Sequence, residues 1–147
     1  MSGALAAGGP DAAFLLELAD LAASQTLPRF RAGTEIANKL AQGFDPVTEA
    51  DRAAERAIVE RIRERFPDHA ILGEEYGASG EGSHRWVIDP IDGTRSFICG
   101  VPLWATLIGL TVDGRARMGV MSQPFTGEAY VADGSRAVLL HGGAERS

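Results

Sequence analysis

One cysteine, Cys99, stands in 147 residues, so no disulfide can form within the chain, and a reducing compartment is expected. Cys99 itself reads as a small buried hydrophobe. Basic residues are also in short supply: 14 Lys and Arg face 20 Asp and Glu, a net charge of −6. A general nucleic-acid or anionic-membrane surface needs a basic face, so no nucleic acid and no membrane are expected as partners. No window approaches the ~20 apolar residues of a membrane span. The opening MSGALAAGGPD has neither a basic segment nor a sustained apolar run, so no secretion signal is read and a cytoplasmic location is expected. The three histidines, His69, His84 and His141, lack ligand spacing, which argues against zinc. GxSxG, P-loop and GxGxxG patterns are missing, which removes serine hydrolase, nucleotide triphosphatase and Rossmann readings.

What is present suits one soluble domain with a real core: 45% of residues are apolar and 23% charged. Residues 1–10 are small and Gly-rich, and a disordered tail is expected there. Asp11 can cap a helix from about Ala12, whose apolar face is Phe14, Leu15, Leu18, Leu21 and Ala22. Pro28 should kink or end it. TEIANKLAQGFDPVT reads as an irregular or hairpin-like connection. A second helix is expected from Thr48, with Ala54, Ile58, Ile62 and Phe66 on one side. Arg52, Glu55, Arg56, Arg63 and Glu64 fall on the other. AILGEE is a short apolar run meeting two acids, and YGASGEGSH reads as a loop. RWVID is a strand by its Trp-Val-Ile content. Beyond Ala105 the pattern is a meander, with two-residue hairpins expected at Asp113-Gly114 and again at Asp133-Gly134. Helices first and an antiparallel sheet after give an α+β fold.

The chemistry concentrates in WVIDPIDGTRSF. On a continuous strand Asp89 and Asp92, three apart, would face opposite ways. Pro90 and Gly93 permit a strand-to-turn-to-helix geometry that aims both carboxylates, and the Ile91 carbonyl between them, into one volume. Such oxygen donors suit a hard divalent cation, Mg²⁺ first. Gly93-Thr94 then offers bare N–H groups to a phosphate. The plain alternative is a β-turn with ordinary caps. Glu74 and Glu75 are either ligating or solvated loop acids. Asp51 is either the acid of a Thr48-x-x-Asp51 capping box or a carboxylate that orients a water or holds a second metal. Lys39 is either a phosphate-facing cation or a surface lysine.

DPVTEAD, GEE and WVIDPIDGTRSF, in that order with a helix between the first two, resemble the inositol monophosphatase family of metal-dependent phosphomonoesterases. The resemblance implies the N-terminal part of a layered αβαβα fold over 11–147, with two helices packed on a largely antiparallel sheet. It implies Mg²⁺ held by Glu74, Asp89, the Ile91 carbonyl and Asp92, with Asp92 shared between metals. Gly93 and Thr94 would hold phosphate, and Thr94 with Asp51 and Glu74 would position the attacking water. Lys39 matches a basic position of the family. DGTRSF, then GVPLWATLIGL and GVMSQPFTGE, is most similar to the histidinol-phosphatase branch, with Arg95 and Ser96 as the local basis. The implied substrate is a small phosphorylated metabolite, histidinol phosphate before inositol phosphate, in histidine biosynthesis, and the implied assembly is a homodimer. Family members are longer and carry a further metal-binding aspartate in a C-terminal WDxxAG-type motif that this sequence does not contain. A truncated form that only binds metal or phosphate is therefore the alternative expectation.

Overall fold

The computed structural model describes residues 8–32, 46–74 and 77–146, with the side chains of 46–48 left aside. The expected tail over 1–10 lies outside this range except for its last three residues. Most of the connection at 34–48 lies outside it as well.

Helix α1, Ala12–Thr26, starts where Asp11 accepts a hydrogen bond from the Phe14 N–H at 2.8 Å. It gives way to a short 3-10 turn, Leu27–Arg29, at Pro28, which cannot supply the next helical N–H. Helix α2 spans Pro46–Arg65. It begins two residues before the expected start, with proline at the first helical position, where its missing N–H costs nothing. Thr48 is therefore inside the first turn and not the N-cap, and the capping-box reading of Asp51 is corrected.

Eight strands follow: β1 Ala70–Gly73, β2 Gly77–Ser79, β3 His84–Asp92, β4 Ala105–Val112, β5 Arg115–Gln123, β6 Glu128–Ala132, β7 Ala137–His141 and β8 Ala144–Arg146. A short helix α3, Thr94–Cys99, lies between β3 and β4. The sheet order is β2-β1-β3-β4-β5-β6-β7-β8. Every pairing is antiparallel except β1 with β3, so the fold is α+β with a largely antiparallel sheet.

Two local expectations need correction. The Gly/Ser-rich segment after Glu74 is not all loop, because Gly77–Ser79 forms the edge strand β2. Asp113-Gly114 is the expected two-residue turn, with Val112 opposite Arg115 and both turn residues at positive φ. Asp133-Gly134 is not its twin, since Ala132 pairs with Ala137 and leaves a four-residue loop. There Asp133 Oδ1 accepts from the Ser135 N–H and hydroxyl and from the Arg136 N–H. Those bonds hold the Asp133 carboxyl down at about 2.

Both long helices pack on one face of the sheet. Phe14, Leu15 and Leu18 of α1 and Ile58 and Ile62 of α2 meet Trp86, Ile88, Ile108, Leu110 and Val120 in the main core. Phe14 sets its ring edge-on to Phe66 at 5.2 Å and to Trp86 at 5.7 Å, and Arg61 of α2 pairs with Glu17 of α1. The opposite face carries the alternate residues of each strand. Val87 is 41% exposed there, against 3% for its neighbour Ile88. Among the described residues, no helix is long and apolar enough to cross a membrane.

Candidate functional site

The site is built from the carboxyl-end halves of two parallel strands. β1 pairs with β3 so that Gly73 stands opposite Ile88. The next residue on each strand is an acid, Glu74 on one and Asp89 on the other. Parallel neighbours share a direction, so Glu74, just past the end of β1, and Asp89, within β3, lie toward the same end of the sheet. Glu74 is exposed and Asp89 half-buried.

Asp92 joins them through an irregularity. Asp89 pairs with Leu107 and Asp92 with Ala105, so β3 advances three residues while β4 advances two. That single extra residue is a β-bulge. It cancels the odd spacing: Leu107 and Ala105 lie on one side of β4, so the acids opposite them share a side of β3. Pro90 sits in the bulge, where it owes the ladder no N–H. Its carbonyl accepts from the buried Thr106 hydroxyl at 2.7 Å, which fixes the turn from beneath.

Gly93 follows at φ 92, and a Cβ there would stand 2.6 Å from the Leu103 carbonyl oxygen. Only glycine fits. Thr94 opens α3 with no side chain capping it, and Thr94 and Arg95 are exposed. The segment is held by a second small core of Phe30, Ala50, Ile91, Phe97 and Trp104. Ile91 thus points its side chain inward, between the two acids that flank it. At the far end of α3 the Arg31 Nε donates to the Gly100 carbonyl at 2.9 Å. The Arg31 guanidinium lies over the Phe125 ring at 4.5 Å.

Asp51 is buried on α2, beneath the helix entrance. One turn later comes a residue that the sequence reading misassigned. Glu55 was expected on the polar side, yet it is fully buried. Its carboxylate lies against the Gly73 α-carbon, where any Cβ would collide with it. The available signal was the four-residue spacing of Asp51 and Glu55, which puts both on one helix face, together with a glycine directly before Glu74. Lys39 and Glu75 lie outside the described residues.

The donor set fits a hard cation in kind, being carboxylate and carbonyl oxygen. Asp89 Oδ1 is buried and accepts no hydrogen bond among the described residues, an arrangement that costs about 1–3 kcal/mol unless something fills it. In number the fit is incomplete: among the described residues no three acidic, histidine or cysteine side chains stand close enough together to hold an ion. Asp89 and Asp92 share a side of β3 and Glu74 follows the end of the neighbouring β1, without the three closing on one point.

The profile of the inositol monophosphatase family matches residues 10–142. The chain is 44% identical over 135 residues to a histidinol-phosphatase of Chlorobaculum parvum, covering 90% of this chain and 51% of that protein. It is 47% identical over 102 residues to the Nus factor SuhB of Pseudomonas aeruginosa, covering 67% and 38%. Among solved structures, an inositol monophosphatase from Zymomonas mobilis superposes with a TM-score of 0.73 at 35% identity, covering 88% of this chain and 49% of that one. The chain thus spans about half the length of the relatives it matches.

Proposed function

From the premise that this chain belongs to the inositol monophosphatase family, we propose that it carries the metal-and-phosphate half of a Mg²⁺-dependent phosphomonoesterase. What carries the reading is the bulge at Pro90-Ile91, which puts Asp89 and Asp92 on one side of β3, together with a buried Asp89 oxygen that accepts no hydrogen bond among the described residues. Glu74, Asp89, the Ile91 carbonyl and Asp92 would hold Mg²⁺. When bound, the ion supplies Lewis acidity to water and to the phosphoryl oxygens and stabilises the leaving alkoxide.

The chain's own groups supply the rest. Gly93 and Thr94 present N–H groups to the phosphate, and Gly93 can do so because its backbone is bare. Thr94, Asp51 and Glu74 orient the attacking water. Arg95, exposed on α3, and Lys39 supply positive charge to the substrate. Water attacks phosphorus directly, the ester oxygen leaves as an alcohol, and no covalent phosphoenzyme forms. Histidinol phosphate is the preferred substrate, because a relative 44% identical over 135 residues is named a histidinol-phosphatase, and inositol phosphate comes second. The site would act in the cytoplasm. The working unit is a homodimer, joined at the exposed edge strands β2 and β8, whose unpaired backbone groups invite addition.

Phosphate release from histidinol phosphate and inositol 1-phosphate, titrated with Mg²⁺ and stopped by chelator, tests this. Asp89→Asn should reduce release at least about a hundredfold. Release at the wild-type rate by that variant, or in excess chelator, would overturn the assignment. The incomplete set of donors among the described residues favours one other reading, binding of metal and phosphate without turnover. Binding with no release from either substrate would select it.

A further inference from the structure

The inner face of α2 holds two acids among its apolar residues. Asp51 and Glu55 are buried there with Ala54, Ile58 and Ile62. Asp51 already has a role in the proposed site; Glu55 does not. Taking a carboxylate out of water is costly, and an apolar side chain of similar volume would cover the same area without that cost. Acids kept inside against that cost mark functional positions more often than packing ones. The place of Glu55 is also cut to fit it. A Cβ built on Gly73 would stand 2.5 Å from Glu55 Cδ and 3.0 Å from its Oε1. Gly73 is not among the glycines at positive φ. Its bare α-carbon therefore serves space and not backbone conformation, and the space belongs to the Glu55 carboxylate.

What rests on Gly73 makes that seat matter. Gly73 ends β1, opposite Ile88 of β3 on one side and Gly77 of β2 on the other. The Gly73–Gly77 pair closes the three-residue link, 74–76, that begins with Glu74. Both neighbouring strands thus fix the base of the link within the sheet, and Glu55 meets it from α2. Asp51 precedes Glu55 by four residues, on the same helix face. One side chain therefore sets how far the helix carrying Asp51 stands from the strand that leads into Glu74.

We infer that Glu55 is a positioning residue: its carboxylate, seated on the Gly73 α-carbon, holds Glu74 at the end of β1 and at a set distance from Asp51. Its consequence for binding rests on the proposed cation site, whereas its effect on the link needs no cation. Glu55→Met keeps most of the side-chain volume and removes the carboxylate, and Glu55→Gln keeps the shape and one carbonyl oxygen. Amide hydrogen exchange of both is followed by NMR beside the unaltered chain. Mg²⁺ is then titrated calorimetrically, well below the melting temperature. Glu55→Met should exchange at least about tenfold faster at Gly73 and Glu74, with the β4–β5 ladder unchanged. It should also bind Mg²⁺ about tenfold more weakly while its melting temperature holds or rises. Glu55→Gln should stay within about threefold of the unaltered chain in both readouts. An acid that only stabilised the fold would move the melting temperature and leave the affinity alone. Should Glu55→Met not fold, Glu55→Asp, which withdraws the carboxylate by one methylene, carries the same expectations. Unchanged exchange at Gly73 and Glu74, or Mg²⁺ affinity equal to that of the unaltered chain, would overturn the inference. An unaltered chain that takes up no Mg²⁺ would sink the proposed cation site, and the exchange alone would then decide for or against Glu55.

Discussion

The two ends of β3 are built to opposite standards. At the start, the rings of His84 and Trp86 are held by neighbours. Trp86 is fully buried and its indole N–H donates to His69 Nδ1 at 3.0 Å. His69 stacks between Phe66 at 4.8 Å and His84 at 4.5 Å, and the Ser83 hydroxyl reaches His84 Nδ1 at 2.9 Å. At the other end the ladder slips, a proline interrupts it, a buried carboxylate oxygen accepts no hydrogen bond among the described residues, and the chain turns through a glycine no other residue can replace. Nine residues of one strand thus contain both a satisfied corner and an unsatisfied one. A protein that can build the first tolerates the second only where something else is meant to fill it.

If that contrast is right, changes at the two ends have different signatures. Trp86→Ala removes a core side chain and should cost about 3–5 kcal/mol in denaturant unfolding. Gly93→Ala should cost about 2–3 kcal/mol, because the backbone is left-handed and the Leu103 carbonyl blocks a Cβ. A smaller loss of about 1–3 kcal/mol is expected of Thr106→Val, which leaves the buried Pro90 carbonyl without its donor. Asp89→Asn breaks the series, since removing the charge of a half-buried carboxylate whose Oδ1 accepts no hydrogen bond among the described residues should leave stability unchanged or raise it by about 1 kcal/mol. A large loss from Asp89→Asn would mean that this end is as well satisfied as the other.

The smallest effect is a pH dependence at the satisfied end. Burial, and then the adjacent His84, push His69 below its ordinary value, with Asp68 opposing them. His69 must be unprotonated at Nδ1 to accept from Trp86, so the folded state favours the neutral ring. Stability from this contact is complete above the unfolded histidine value of about 6.5 and is lost as pH falls below it toward the lowered folded value. Trp86 emission and melting temperature followed from pH 8 to 5 should decline together, and His69→Phe should flatten both curves. A decline that persisted in the variant would place the titration elsewhere.

Much of the satisfied architecture was legible in the sequence, because it is local. The faces of α1 and α2, the strand at RWVID and the Asp113-Gly114 turn follow from periodicity and turn chemistry. The shared side of Asp89 and Asp92 was only half legible, since the proline and glycine permitted it but fitted an ordinary β-turn as well, and the bulge that sets it lies within β3. What stayed hidden depends on contacts between distant segments. Glu55 looks like a surface acid until Gly73 of β1 is laid across it. Gly77–Ser79 becomes a strand only because β1 offers an edge. Parallel pairing of β1 with β3, which sets Glu74 beside Asp89, appears in no local pattern. The open face is invisible for the same reason: its row from Asp89 through Leu107, Met121 and Tyr130 to Leu139 takes one residue from each of five strands.

The central claim is that Glu74, Asp89 and Asp92 form a divalent-cation site. Calorimetric titration of the chain with Mg²⁺, repeated on Asp89→Asn, tests it most directly. Saturable binding that disappears in the variant, with the circular dichroism and melting temperature unchanged, is the predicted result. A variant that binds Mg²⁺ as the unaltered chain does would contradict it.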